Sequence, residues 1–263
     1  MSKKFIIMLY EEGASLDAKD QWVGRFGTTL SLQRMVADCN TAVEAIVAAG
    51  AEAYVCDVYN LGRDIIESEL TNKAKRVSTG ELKKLCCEGV DGAMLIGAHA
   101  MNSAPNAFGS YSIAEATWQK YSVNGIEYGD IGFATIFFGA YNVPIVAVSG
   151  DEAAVKECQA LVGDIPCAIV KKAQKRNVAI ATMIGEEALK AIFQACADGV
   201  KNCKSYKPYV VIPPYSIQVE YKRADYCDEA VWCYIQKGGL KRVSTLVAEK
   251  FVEKIANYND LRI

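Results

Sequence analysis

The chain has a single histidine, His99, in 263 residues, and this scarcity restricts its chemistry more than any abundance does. A His-x-x-x-His metal pair, a three-histidine zinc site and a histidine relay are all excluded. Any acid–base or metal chemistry must therefore combine His99 with carboxylates or tyrosines. Charge of one sign is also missing. Twenty-nine basic residues against 31 acidic ones leave a formal net charge of -2, which excludes a broadly basic surface for nucleic acid or anionic lipid. No apolar run approaches the length of a membrane span. The opening run Phe5–Tyr10 is too short for a secretory signal and meets Glu11 and Glu12 at once. The 10 cysteines include no Cys-x-x-Cys pair and are scattered through apolar segments, so they read as reduced, mostly buried thiols of a cytoplasmic protein. Adjacent Cys86 and Cys87 read as packing residues. Repeats, linkers and low-complexity stretches are absent.

What the sequence does contain is an alternation of strand-like and helix-like segments, the pattern of a parallel or mixed sheet covered by helices. Phe5–Tyr10, Ala53–Tyr59, Ala93–Gly97 and Pro144–Val148 read as neighbouring buried strands of one sheet. Between the first two, Leu32, Met35, Val36, Cys39, Val43, Ile46 and Val47 recur at helical spacing, and Gly50 marks the stop. Ser78 and Glu81 have capping-box spacing before Leu82, Leu85 and Cys86. Trp118–Val123, Asn124-Gly125 and Ile126–Tyr128 read as a hairpin, and Gly132–Tyr141 as a helix. Asp151 is placed to cap the helix containing Val155, Cys158 and Leu161. Further on, Glu186–Val200 and Ser244–Tyr258 read as helices and Ser216–Tyr221 as a strand.

Polar residues gather at the strand ends, where open α/β sheets bind ligands. Glu11 and Glu12 follow the first strand, Asp57 lies near the end of the second, and His99 follows the third. Asp130 stands between two glycines just before a helix. Carboxylates and one imidazole converging on a sheet edge suit a divalent metal or an acid–base pair. The plainer reading is a histidine that only hydrogen-bonds its loop. The basic run Lys171-Lys172-Ala173-Gln174-Lys175-Arg176 reads as a solvated face, because no aromatic platform accompanies it.

The succession Tyr10-Glu11-Glu12-Gly13, Val55-Cys56-Asp57-Val58-Tyr59, Gly97-Ala98-His99-Ala100, Gly129-Asp130-Ile131-Gly132 and Val143–Asp151 resembles the DppA-type D-aminopeptidase family. The likeness runs over most of the chain and is strongest from Asp91 to Glu157. Members of that family are self-compartmentalising zinc metallopeptidases. The resemblance implies a three-layer α/β sandwich with a mixed, mostly parallel sheet, a hairpin insertion and a smaller C-terminal α+β portion. On this reading residues 1–205 form the D-aminopeptidase-like core. Residues 206–263 form a strand–helix portion, packed on the core or making a small second lobe. The resemblance also implies a ring-shaped homo-oligomer, a decamer of stacked pentamers.

In the family pattern the first strand ends in Asp-x-Glu-Gly, where the Asp bridges two zinc ions and the Glu binds one. Tyr10 stands at the Asp position here, while Glu12 is kept. The family's Asp-Ser-His triplet becomes Asp57-Val58-Tyr59, which puts Tyr59 where a histidine ligand is expected. His99 keeps the Gly-x-His-Ala ligand, and the family's glutamate in Gly-Glu-Leu-Gly becomes the shorter Asp130. With one residue inserted in the preceding loop, a catalytic histidine falls on Tyr111 of Ser110-Tyr111-Ser112. Glu12, His99 and Asp130 are thus the candidate metal ligands. His99 and Tyr111 are the candidate catalytic residues, and Tyr10, Tyr59 and Asp57 the candidate ligand-binding residues. A neutral phenol is a poor substitute for a bridging carboxylate. The expected cofactor is therefore none, or one zinc ion at reduced occupancy. Two readings follow. In one, the dinuclear site is lost and a tyrosine-rich acidic pocket binds an amine-bearing small molecule or short peptide. In the other, a single metal hydrolyses peptide or amide bonds in small substrates.

Overall fold

The computed structural model describes residues 2–10, 29–57, 65–110, 112, 117–176, 178–228 and 245–248. In chain order these form β1 (Lys4–Leu9), α1 (Thr29–Ala48), β2 (Glu52–Asp57), β3 (Ala74–Arg76), α2 (Thr79–Glu88), β4 (Gly92–Ala98), β5 (Trp118–Val123) and β6 (Ile126–Glu127). They continue as α3 (Asp130–Ala140), β7 (Ile145–Asp151), α4 (Glu152–Val162), β8 (Cys167–Lys175), β9 (Val178–Ala181), α5 (Gly185–Lys201), β10 (Tyr215–Tyr221) and β11 (Thr245–Ala248).

A seven-stranded sheet in the order β3-β2-β1-β4-β7-β8-β9 forms the middle layer. Its strands are parallel except β9, which returns antiparallel along β8. The expected strands β2, β1, β4 and β7 are consecutive neighbours. Parallel strands covered on both faces are apolar on both faces. In β1, Phe5, Ile7 and Leu9 pack with Met35, Val36, Cys39, Val43 and Ile46 of α1 and with Ile192 and Cys196 of α5. Alternate residues Ile6, Met8 and then Tyr10 face the opposite layer, with Leu82 and Leu85 of α2, Ile131 of α3 and Val155 and Cys158 of α4. The molecule is therefore a three-layer α/β sandwich with a mixed, mostly parallel sheet.

Local signals set several boundaries. Ser78 and Glu81 make the capping box of α2, with the Ser78 N–H donating to Glu81 Oε2 at 2.8 Å. Asp151 caps α4 by accepting the Ala154 N–H at 2.7 Å. Asn124 (φ 52°) and Gly125 (φ 80°) provide the two left-handed residues of a tight hairpin turn between β5 and β6.

This hairpin belongs to a second, antiparallel sheet in the order β11-β10-β5-β6. Its Tyr121 ring lies 4.5 Å from Phe133 of α3. Nearly every residue of α3 is buried, including Asp130. Helix α3 begins at Asp130, earlier than the apolar pattern alone suggests. Near its end the backbone of Tyr209 packs directly on Gly139, where a side chain would collide with the Tyr209 carbonyl.

The C-terminal expectation is corrected in one respect. Thr245–Ala248, read as the start of a helix, is strand β11, paired antiparallel with Tyr215–Gln218 of β10. An open edge of β10 and the β-favouring run Thr-Leu-Val outweigh the helical spacing. The rest of that segment, residues 249–258, lies outside the described residues. The basic run is solvated at Lys172, Gln174, Lys175 and Arg176, as expected, and is corrected only at Lys171. It is the second half of β8 and the turn after it, and Lys171 is fully buried. No described helix is long and apolar enough to cross a membrane.

Candidate functional site

Parallel strand direction brings Tyr10, Asp57, His99 and Asp151 to one edge of the main sheet. The β4–β7 crossover then supplies Asp130. His99 follows the last residue of β4, two positions after Gly97, a left-handed residue (φ 69°) whose N–H donates to Ser149 Oγ at 3.1 Å. The pairing of β4 with β7 loses register between Leu95 and Ala98, which redirects the chain where His99 begins. His99 Nε2 lies 3.3 Å from Asp130 Oδ2, and both side chains are about 1% exposed. Asp130 can be this close because it opens α3 immediately after Gly129. A Cβ on Gly129 would stand 2.6 Å from the Cβ of Met101 in the His99 loop. A buried carboxylate beside an imidazole fixes the ring's orientation.

Tyr10 is the third member. Its N–H donates to the Ile96 carbonyl at 2.9 Å, and its ring meets His99 edge-on, with centroids 5.8 Å apart and planes at 85°. Burial, then the negative charge of Asp130, hold the Tyr10 phenol well above its ordinary range. The hydroxyl is thus a neutral group that can donate or accept a hydrogen bond but does not supply an anion.

Glu157 of α4 is a fourth group, absent from the sequence-based candidate set. Its Oε2 accepts the Met101 N–H at 2.8 Å, and its Oε1 would lie 3.2 Å from a Cβ on Gly129, the residue before Asp130. The residue as a whole is half-buried, yet Oε1 is shut off from solvent and accepts no hydrogen bond among the described residues. Burial raises the carboxyl to about 8, Met101 opposes the rise, and Asp130, Asp151 and Glu127 add to it. The sequence carried a faint signal for this placement. Glu157 stands three residues after Ala154 and four before Leu161, on the flank of the buried stripe of α4.

Asp57 ends β2 and accepts the Ile65 N–H at 3.2 Å. It stands beside Leu9 in register, while Ile96 lies on the far side of Leu9, so a full strand separates Asp57 from β4. Glu11, Glu12, Tyr59 and Tyr111 lie outside the described residues. Asp151, at the same edge, holds the loop between His99 and Ser110 by accepting the Phe108 N–H at 2.8 Å. The described cysteines are free thiols, with Cys86 buried and Cys87 exposed.

Among the described residues, no group of three or more His, Cys, Asp or Glu is placed to hold a metal. A phenol held neutral does not supply the anion that two metal ions would share, so Tyr10 does not fit a bridging role. The described part of the site therefore does not by itself form a dinuclear zinc centre. It forms a buried His–Asp pair, an edge-on tyrosine and a second carboxyl.

Comparison with known proteins agrees with the resemblance. A family model described as D-aminopeptidase matches residues 20–255. A D-aminopeptidase of Bacillus subtilis (strain 168) is 27% identical over 200 residues, spanning 74% of this chain and 70% of that protein. The solved structure of the Zn-dependent D-aminopeptidase DppA from Bacillus subtilis, described as a self-compartmentalizing protease, shares the fold with a TM-score of 0.80. It is 19% identical, and the match covers 98% of this chain and 95% of that one. Since that family model matches most of its residues, the chain belongs to the D-aminopeptidase family.

Proposed function

We propose that this chain is a functionally diverged, non-hydrolytic member of its family, in which the His99–Asp130 site binds an amine-bearing small molecule or short peptide. One observation supports this reading: burial and Asp130 keep the Tyr10 phenol neutral, and the resemblance sets that residue at the position of a zinc-bridging carboxylate. The remaining groups suit an ammonium ion. Asp130 and Glu157 offer carboxyl oxygens, and an aromatic face adds roughly 0.5 to 2 kcal/mol for a well-placed cation. Tyr59 and Tyr111, at the other two replaced positions, would extend the same lining, with Asp57 at its margin. Residues 206–263 would form a strand–helix portion, packed on the core of residues 1–205 or making a small second lobe. The solved relative is described as self-compartmentalizing, which supports assembly of several copies; the form proposed for this chain is a ring-shaped homo-oligomer, a decamer, and its proposed location the cytoplasm. A monomer by light scattering at micromolar concentration would refute the assembly.

A second reading is favoured by the 3.3 Å between His99 Nε2 and Asp130 Oδ2. Two ligands on one tetrahedral zinc with bonds of about 2.0 to 2.1 Å stand about 3.3 to 3.4 Å apart. With Glu12 as a third ligand, these residues would hold one zinc ion. Such an ion would polarise an amide carbonyl and supply a bound water. Calorimetry with an amino-terminal D-alanyl dipeptide and its N-acetylated form separates the readings. Binding of the free amine, about tenfold weaker binding of the acetylated form and no cleavage support the first reading. Zinc-stimulated cleavage contradicts it and supports the second.

A further inference from the structure

The segment that follows His99 has no regular secondary structure among its described residues, and polar side chains from other elements fix it in place. Glu157 takes the Met101 N–H and Asp151 takes the Phe108 N–H. The clamp across its two ends is Arg176, the last residue of the basic run, reaching in from the turn after β8. One guanidinium nitrogen donates to the Asn102 carbonyl. The other donates to Asn102 Oδ1 at 2.7 Å and to the Ser110 carbonyl at 3.4 Å. The Asn102 N–H also donates to Ser112 Oγ at 3.1 Å, so the loop's two ends meet beneath this guanidinium. One end lies three residues after His99, and the other immediately precedes Tyr111 in the chain.

A planar fork with fixed donor directions can hold carbonyls from two chain positions at once, which an ammonium on a flexible stem does not reproduce. All three acceptors are uncharged. The contact is thus a geometric fastening of the loop and not a charge neutralisation.

We propose that Arg176 is a positioning residue of the His99 site: by binding both ends of the Asn102–Ser110 loop, it sets the direction in which the His99 imidazole leaves the sheet edge towards Asp130. Arg176 does not touch the imidazole and acts through the loop. The role gives the basic run a function separate from any polyanion.

His99 is the only histidine, so its imidazole gives a single assignable set of signals in a long-range proton–nitrogen correlation spectrum. In Arg176→Lys, which keeps the charge and loses the fork, the His99 set is expected to shift or split. In Arg176→Ala the same change is expected, reversed by millimolar guanidinium ion. Asn102→Ala, which removes one acceptor, gives a smaller shift and keeps the test available if Arg176→Ala does not fold. Unchanged His99 signals in Arg176→Lys, with or without a lower melting temperature, would overturn the proposal and leave Arg176 as a stabilising contact only. Affinity for the free-amine dipeptide is expected to fall about tenfold in Arg176→Lys. That last arm rests on the amine-binding reading. Failure of the wild-type protein to bind the dipeptide would count against that reading, whereas the imidazole signals decide the role of Arg176.

Discussion

Two buried aspartates stand at two helix starts on the same side of the sheet, and their partners give them different roles. Asp151 opens α4 and accepts the Ala154 and Phe108 N–H groups, with the buried Lys171 beside it in register on β8. Burial raises its carboxyl, while those two N–H groups and Lys171 oppose the rise. Asp130 opens α3 and faces His99 across 3.3 Å, with Tyr10 and Glu157 adding a neutral phenol and a second acid. The first carboxylate has mainly backbone partners and holds the fold. The second has side-chain partners drawn from three other elements, an arrangement suited to a ligand.

The contrast makes its largest prediction at Asp151. Asp151→Ala removes a helix cap, a loop anchor and the carboxylate in register with the buried Lys171. Urea unfolding is expected to show a loss of about 3 to 5 kcal/mol. A loss below about 1 kcal/mol would make the two aspartates equivalent in stability and break the comparison.

Asp130→Asn is expected to act on function. Stability stays within about 1 kcal/mol, because the amide keeps the shape of the side chain and removes a buried charge. Affinity for the free-amine dipeptide falls about tenfold or more. Large destabilisation with unchanged affinity would place Asp130 with Asp151 as a structural acid.

The smallest expected effect belongs to Glu157. With its folded carboxyl at about 8 against 4.5 for an ordinary glutamate, the folded chain holds a proton that the unfolded chain has released between those values. This contribution to stability is complete below pH 4.5 and is lost as the pH rises through about 8. Glu157→Gln should flatten the decline and leave the variant about 1 to 2 kcal/mol more stable than wild type at pH 9. An equally steep decline in the variant would mean that Glu157 is ionised in the folded chain at neutral pH.

The same division explains what could be read from the sequence. The Asp151 cap, the Ser78–Glu81 box and the Asn124-Gly125 turn depend on residues a few positions apart, so local spacing reveals them. That β1, β2, β4 and β7 share one sheet follows from apolar runs that only a doubly covered sheet can bury, whereas their order comes from the structure. His99 and Asp130 were legible as candidates because both sit where strands or crossovers end. Glu157 and Arg176 were not, since a flanking helix and the turn after an edge-side strand place them at the site. A basic run looks solvated in one dimension, yet Lys171 points into the core. The helical pattern from Ser244 misled because pairing with β10 outweighs local preference at Thr245–Ala248.

The most direct test of the diverged site is zinc content after equilibration with the metal and removal of loosely bound ions, compared between wild type and the Tyr10→Asp, Tyr59→His double variant. Less than about one zinc per wild-type chain is expected, with a gain of about one in the double variant and no matching gain in dipeptide hydrolysis. About two zinc ions per wild-type chain, or a double variant that binds no more than wild type, would contradict the replacement of a metal centre by tyrosine.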